Sequence, residues 1–100
     1  MERQMRPSVA LELNKAAALE LVSRFPTRNL RVFGSVLRGE DKEGSDIDLL
    51  VDALPEATLL DLGGLQVELE DLLGVRVDLL TPAELSPVIR DRVLAVARPI

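Results

Sequence analysis

Apolar positions along the chain switch between two periods. Val9, Leu13, Ala17 and Leu21 recur every four residues behind Pro7 and Ser8, which predicts a helix with Ser8 as its N-cap and Pro26 as its stop. Residues 30–33 (LRVF) then read as a short strand closed by Gly34. The following SVLRGEDKEGS reads as a helical turn that dissolves into a polar loop at Gly39 and Gly44. Alternation returns over 46–52 (DIDLLVD), where Ile47, Leu49 and Val51 share one face of a strand and Asp46, Asp48 and Asp52 the other. A third strand, 75–81 (VRVDLLT), repeats the arrangement with Val75, Val77 and Leu79 against Arg76 and Asp78. Between these two strands Leu65, Leu69, Leu72 and Leu73 fall at helical spacing, with a break at Gly63-Gly64 and a stop at Gly74. Ser86 and Pro87 open a last helix that carries Ile89, Val93 and Val96 on one side.

The order α-β-α-β-α-β-α, without linker or repeat, predicts a single domain over 1–100 of α/β (α+β) class, built on one sheet. Helices bury one face of such a sheet; here the opposite face presents carboxylates, the layout of a site rather than of a core. The leucines from Leu59 to Leu73 are read as core, with Leu59, Leu60 and Leu62 as alternative contributors to a partner surface.

Composition removes most familiar chemistries. The 100 residues include no cysteine and no histidine, which excludes disulfide scaffolds, thiol catalysis, the Ser-His-Asp triad and the usual zinc sites. With two phenylalanines and no tryptophan or tyrosine, stacking platforms for single-stranded nucleic acid are nearly absent. No basic stripe suited to a duplex is evident, so no direct nucleic-acid binding is expected. No segment reaches the roughly 18 apolar residues of a membrane span, and Glu12 and Lys15 interrupt what a secretory signal would need as its apolar core. The cytoplasm is the expected compartment.

The formal net charge of −5 sits in one place: residues 40–52 hold six acids and one base, while the remainder is balanced. Read as surface, this is a solvated acidic turn; read as chemistry, it is a cation site. Same-face residues on a strand lie nearly 7 Å apart and neighbouring strands about 5 Å, so Asp46 and Asp48 flank a small patch that Asp78 joins if the third strand pairs in register. Three carboxylates so close repel one another unless a cation stands between them, and carboxylate oxygens are the hard ligands Mg²⁺ prefers. Two such ions would clamp the attacking and leaving oxygens of a phosphoryl or nucleotidyl transfer. Gly34-Ser35, at the end of the first strand, suits close approach of a phosphate, and Arg38 lies one helical turn on. Glu40, Asp41, Glu43 and Asp52 are read as solvated charges.

Gly34-Ser35, ten intervening residues, then Asp46-Ile47-Asp48 matches the G-S-x10-D-x-D signature of the DNA polymerase β-like nucleotidyltransferases. Within that superfamily the whole chain resembles the minimal nucleotidyltransferases, the antitoxin members of HEPN/minimal-nucleotidyltransferase toxin–antitoxin pairs. The resemblance implies a mixed three-stranded sheet packed against helices, and Mg²⁺-dependent transfer of AMP from ATP to a tyrosine hydroxyl of a HEPN-domain ribonuclease toxin. By position, Gly34 and Ser35 would hold the triphosphate, with Arg38 as a further phosphate contact or a partner for Glu40 or Asp41. Asp46 and Asp48 would coordinate two Mg²⁺ ions, and Asp78 would hold the catalytic ion and help deprotonate the acceptor. Only 22 residues follow Asp78, so a partner or a second copy is expected to complete the nucleotide pocket. Two other readings stand beside this one. A non-catalytic, nucleotide-binding antitoxin would neutralise its partner by covering it; a small-molecule nucleotidyltransferase would need an additional substrate domain.

Overall fold

The computed structural model describes residues 5–100, which form five α-helices and a four-stranded mixed sheet. In chain order these are α1 (Pro7–Leu13), α2 (Lys15–Ser23), β1 (Thr27–Phe33), α3 (Gly34–Arg38), β2 (Ile47–Ala53), α4 (Leu59–Leu73), β3 (Val77–Leu80), a 3-10 turn (Pro82–Glu84), α5 (Pro87–Val96) and β4 (Arg98–Pro99). The sheet order is β3-β2-β1-β4, with β1 antiparallel to both β2 and β4, and β2 parallel to β3. The α/β (α+β) class and mixed sheet match expectation, but the three-stranded count needs correcting. Arg98 and Pro99 pair with Val32 and Arg31 as a fourth strand too short to leave an alternation pattern.

Alternation places Leu30, Val32, Ile47, Leu49, Val51, Val77 and Leu79 in one buried cluster. Helices α2 and α4 supply its other side through Ala18, Val22, Leu65, Leu69 and Leu73. A parallel pair needs a long crossover, and α4 is that crossover. Thr58 starts it with a capping box: its hydroxyl accepts from the Asp61 N–H at 3.2 Å while the Asp61 carboxylate accepts from the Thr58 N–H at 2.9 Å. Gly63 and Gly64 do not break the helix. A Cβ at Gly64 would stand 3.4 Å from the Phe25 ring, so the bare backbone lets that ring lie against α4.

The expected N-terminal helix is two helices. Asn14 separates them, and its side-chain amide donates back to the Ala10 carbonyl at 2.8 Å. The change of phase turns Ala10, Leu11, Ala18 and Val22 inward, leaving Val9 and Leu13 of the expected apolar row exposed. Ser8 is not the N-cap; Arg6 is. The cap on α1 comes from far along the chain, where the Asp41 carboxylate accepts from the Ser8 N–H at 2.9 Å and pairs with Arg6 at 3.2 Å. Asp41 therefore has a side-chain exposure of 0%, not that of a solvated charge. Asp52 is also engaged, accepting from Asn29 and Arg31 across the β1–β2 pair.

Candidate active site

The sheet register assembles the site. Asp48 is opposite Phe33 of β1 on one side and opposite Asp78 of β3 on the other. Residues paired directly across a ladder project to the same face, so Asp48 and Asp78 stand side by side and Gly34 follows immediately from Phe33. Asp46 precedes β2, whose entry is pinned by the Ile47 N–H donating to the Arg76 carbonyl at 2.9 Å. The turn at Gly34 and the carboxylate of Asp48 are in contact. Gly34 has φ +73°, and a Cβ built on it would stand 2.9 Å from the Asp48 Cγ and overlap Oδ2. Only glycine fits, both for the backbone angle and for the space.

Negative charge is concentrated here and only partly offset. Burial pushes the Asp48 pKa above the usual carboxylate value, as do the neighbouring charges of Asp78 and then Asp46, while Arg38 opposes the shift. Among the described residues Asp46, Asp48 and Asp78 take part in no side-chain hydrogen bond or ion pair, Arg76 included. The acids with structural duties, Asp41, Asp52 and Asp61, all have partners. Unpaired carboxylates gathered around Asp48, whose proton affinity their charge raises, form a donor set that suits a hard cation. Among the described residues no three acids close into a cage around an ion. An ion held by Asp48 and a neighbouring carboxylate would take its remaining positions from water and phosphate, the usual habit of Mg²⁺.

Ser35 is half-buried beside Gly34, and its carbonyl accepts from the Glu40 N–H at 2.9 Å. Arg38 donates through Nε to Glu40 at 2.7 Å, not to Asp41; both members are exposed, so the pair is readily exchanged for an anionic ligand. Beside Gly34 opens a cavity of about 680 Å³ lined by Phe33, Leu37, Arg38, Arg92, Val93 and Arg98. Arg92 and Arg98 were not singled out from the sequence. The only signal was a pair of arginines six residues apart on either side of the apolar run VLAVA.

A sequence model of the nucleotidyltransferase domain matches residues 15–98. The chain belongs to the nucleotidyltransferase domain family. This nucleotidyltransferase domain is 48% identical over 75 residues to the protein adenylyltransferase MntA of Thermococcus cleftensis, covering 75% of this chain and 76% of that one. A protein of Methanocaldococcus jannaschii assigned as a protein adenylyltransferase is 40% identical over 80 residues, covering 80% and 86%. A solved structure described as a minimal nucleotidyltransferase superposes with a TM-score of 0.84 at 45% identity, over 93% of this chain and 95% of that one. A toxin–antitoxin crystal structure with AMP-PNP shares the fold, with a TM-score of 0.73 at 24% identity over 86% and 71%.

Proposed function

We propose that this nucleotidyltransferase domain transfers AMP from ATP to a hydroxyl of a partner protein, a tyrosine of a HEPN-domain ribonuclease toxin, and so acts as the antitoxin. The observation that carries this reading is the contact between Gly34 and Asp48, which joins the phosphate-approach turn to the carboxylate patch at van der Waals distance. Gly34 and Ser35 hold the triphosphate, and Arg38 exchanges Glu40 for a phosphate oxygen. Asp46 and Asp48 would hold two Mg²⁺ ions, and Asp78 would help to hold the catalytic one. When bound, the ions neutralise the phosphates and lower the pKa of the attacking hydroxyl. Asp78 then accepts the acceptor's proton, a role left to a carboxylate in a chain without histidine. The adenylyltransferase name of the Thermococcus relative supports protein as the acceptor class.

The test is the intact mass of the co-purifying partner before and after incubation with ATP and Mg²⁺. Mass increments of AMP that disappear with Asp48→Asn are the expected result. A partner whose mass never changes, yet is neutralised at a one-to-one ratio by wild type and Asp48→Asn alike, replaces the transferase with a blocking module.

A further inference from the structure

The cavity beside Gly34 has a volume within the range of about 300–1,000 Å³ typical of small-molecule sites. Three of the chain's twelve basic residues line it: Arg38 of α3, Arg92 of α5 and Arg98 of β4. That is a local reversal of sign in a protein of net charge −5. Among the described residues Arg92 and Arg98 have no ion-pair partner, and Arg38 has only the exposed Glu40. Gly34 belongs to both neighbourhoods, since it abuts Asp48 and also lines the cavity. A polyphosphate whose reacting phosphorus sits over Asp48 and whose chain crosses Gly34 therefore enters the cavity with its far end.

We propose that Arg92 and Arg98, acting with Arg38, seat the β- and γ-phosphates of the nucleotide and hold pyrophosphate as it departs. The proposal rests on the transferase reading above and adds residues that reading did not use. In the transfer the acceptor oxygen bonds to the α-phosphorus. The bond from that phosphorus to the α–β bridging oxygen breaks, its electron pair leaves with pyrophosphate, and the hydroxyl proton passes to Asp78. Negative charge grows on the leaving group during this step. Guanidinium groups meet it with paired N–H donors and a charge that persists at any working pH. Phe33, Leu37 and Val93 add apolar surface to the same lining, against which the stems of the arginines can pack.

The experiment titrates ATP, pyrophosphate and AMP, each with Mg²⁺, into wild type, the Arg92→Ala/Arg98→Ala double variant and the Arg92→Lys/Arg98→Lys double variant. Arg92 of α5 and Arg98 of β4 are both exposed, so the variants are expected to keep the wild-type circular dichroism and melting temperature. The alanine pair is expected to weaken ATP and pyrophosphate by about tenfold or more while AMP stays within about twofold, and the lysine pair to recover part of the loss. Unchanged affinities for all three probes overturn the proposal and leave the transferase reading standing. An AMP affinity that falls in step with that of ATP also overturns it, because the arginines would then serve the nucleoside or the fold. Loss of partner capture with ATP binding intact overturns it in favour of an acidic protein surface as the occupant. A wild-type protein that binds none of the three probes overturns both readings together.

Discussion

Replacing Gly34 by alanine separates the backbone demand of this position from its contact with Asp48. The left-handed φ of +73° alone costs an L-residue about 1–2 kcal/mol, equivalent to a fall in melting temperature of about 4–8 °C per kcal/mol in a domain this size. Gly74 provides the control, with φ +68° and nothing within 4 Å of a built Cβ. Gly74→Ala therefore carries the strain without the collision. At Gly34 the new methyl would stand 2.9 Å from the Asp48 Cγ, against an ordinary carbon–carbon contact of about 3.5–4.0 Å, so the carboxyl must retreat by on the order of 1 Å. Misplacement of a reacting group by that distance costs about a hundredfold in rate. Both variants are expected to melt lower by comparable amounts, while the rate of AMP incorporation into the partner, followed by intact mass, collapses only for Gly34→Ala. Equal transfer rates in the two variants, at equal folded fractions, would refute the role given to the Gly34–Asp48 contact.

Asp48→Asn is expected to melt higher than wild type in metal-free buffer, because it removes a half-buried charge that burial, Asp78 and Asp46 all disfavour. Addition of Mg²⁺ should then raise the melting temperature of wild type and not that of the variant, in parallel thermal scans. Asp41→Ala should destabilise the fold by about 2–4 kcal/mol in denaturant titration, since it strips the Ser8 N–H and Arg6 of a buried charged acceptor. Burial alone would raise the Asp41 pKa, but the bonds from Ser8 and the Arg6 charge outweigh it and hold the carboxyl below its ordinary range. Its contribution is therefore complete above the unfolded value of about 3.9 and disappears as pH falls through the lower folded value, so the gap between wild type and Asp41→Ala should close in acid. Leu59→Ser and Leu60→Ser, at positions 83% and 88% exposed, should each change stability by less than about 0.5 kcal/mol, whereas Leu65→Ala should cost about 2–5 kcal/mol.

The carboxylate patch was legible because it depends on the strand period alone. Alternation puts Asp48 and Asp78 on the polar face of their strands, and the apolar partners on the other face fix the register that brings them together. What escaped was set by distant partners. Asp41 looks like one more acid in a charged loop until Arg6 and the first turn of α1 fold over it, 35 and 33 residues away. Leu59 and Leu60 share the composition of the core leucines but precede the inward face of α4, which begins with the partly buried Leu62 and is fully buried from Leu65. The kink at Asn14 is a local choice of side chain over backbone bonding, and it rotates the whole first apolar row out of register with the core. Likewise, Arg92 and Arg98 acquire meaning only when α5 returns the chain to the corner that Gly34 occupies.

The parallel pairing of Asp48 with Asp78 has a consequence for quality control. A strand read in twos has no intermediate error: a slip of one residue between β2 and β3 would carry Asp78 to the side now held by Val77 and Leu79, and would bring those two out into water. The mistake that scatters the carboxylate face is thus the same mistake that empties the core. A molecule that is misaligned at this edge is also unfolded, and becomes prey for proteases before it can compete for a partner. The alternation that builds the site also proofreads it.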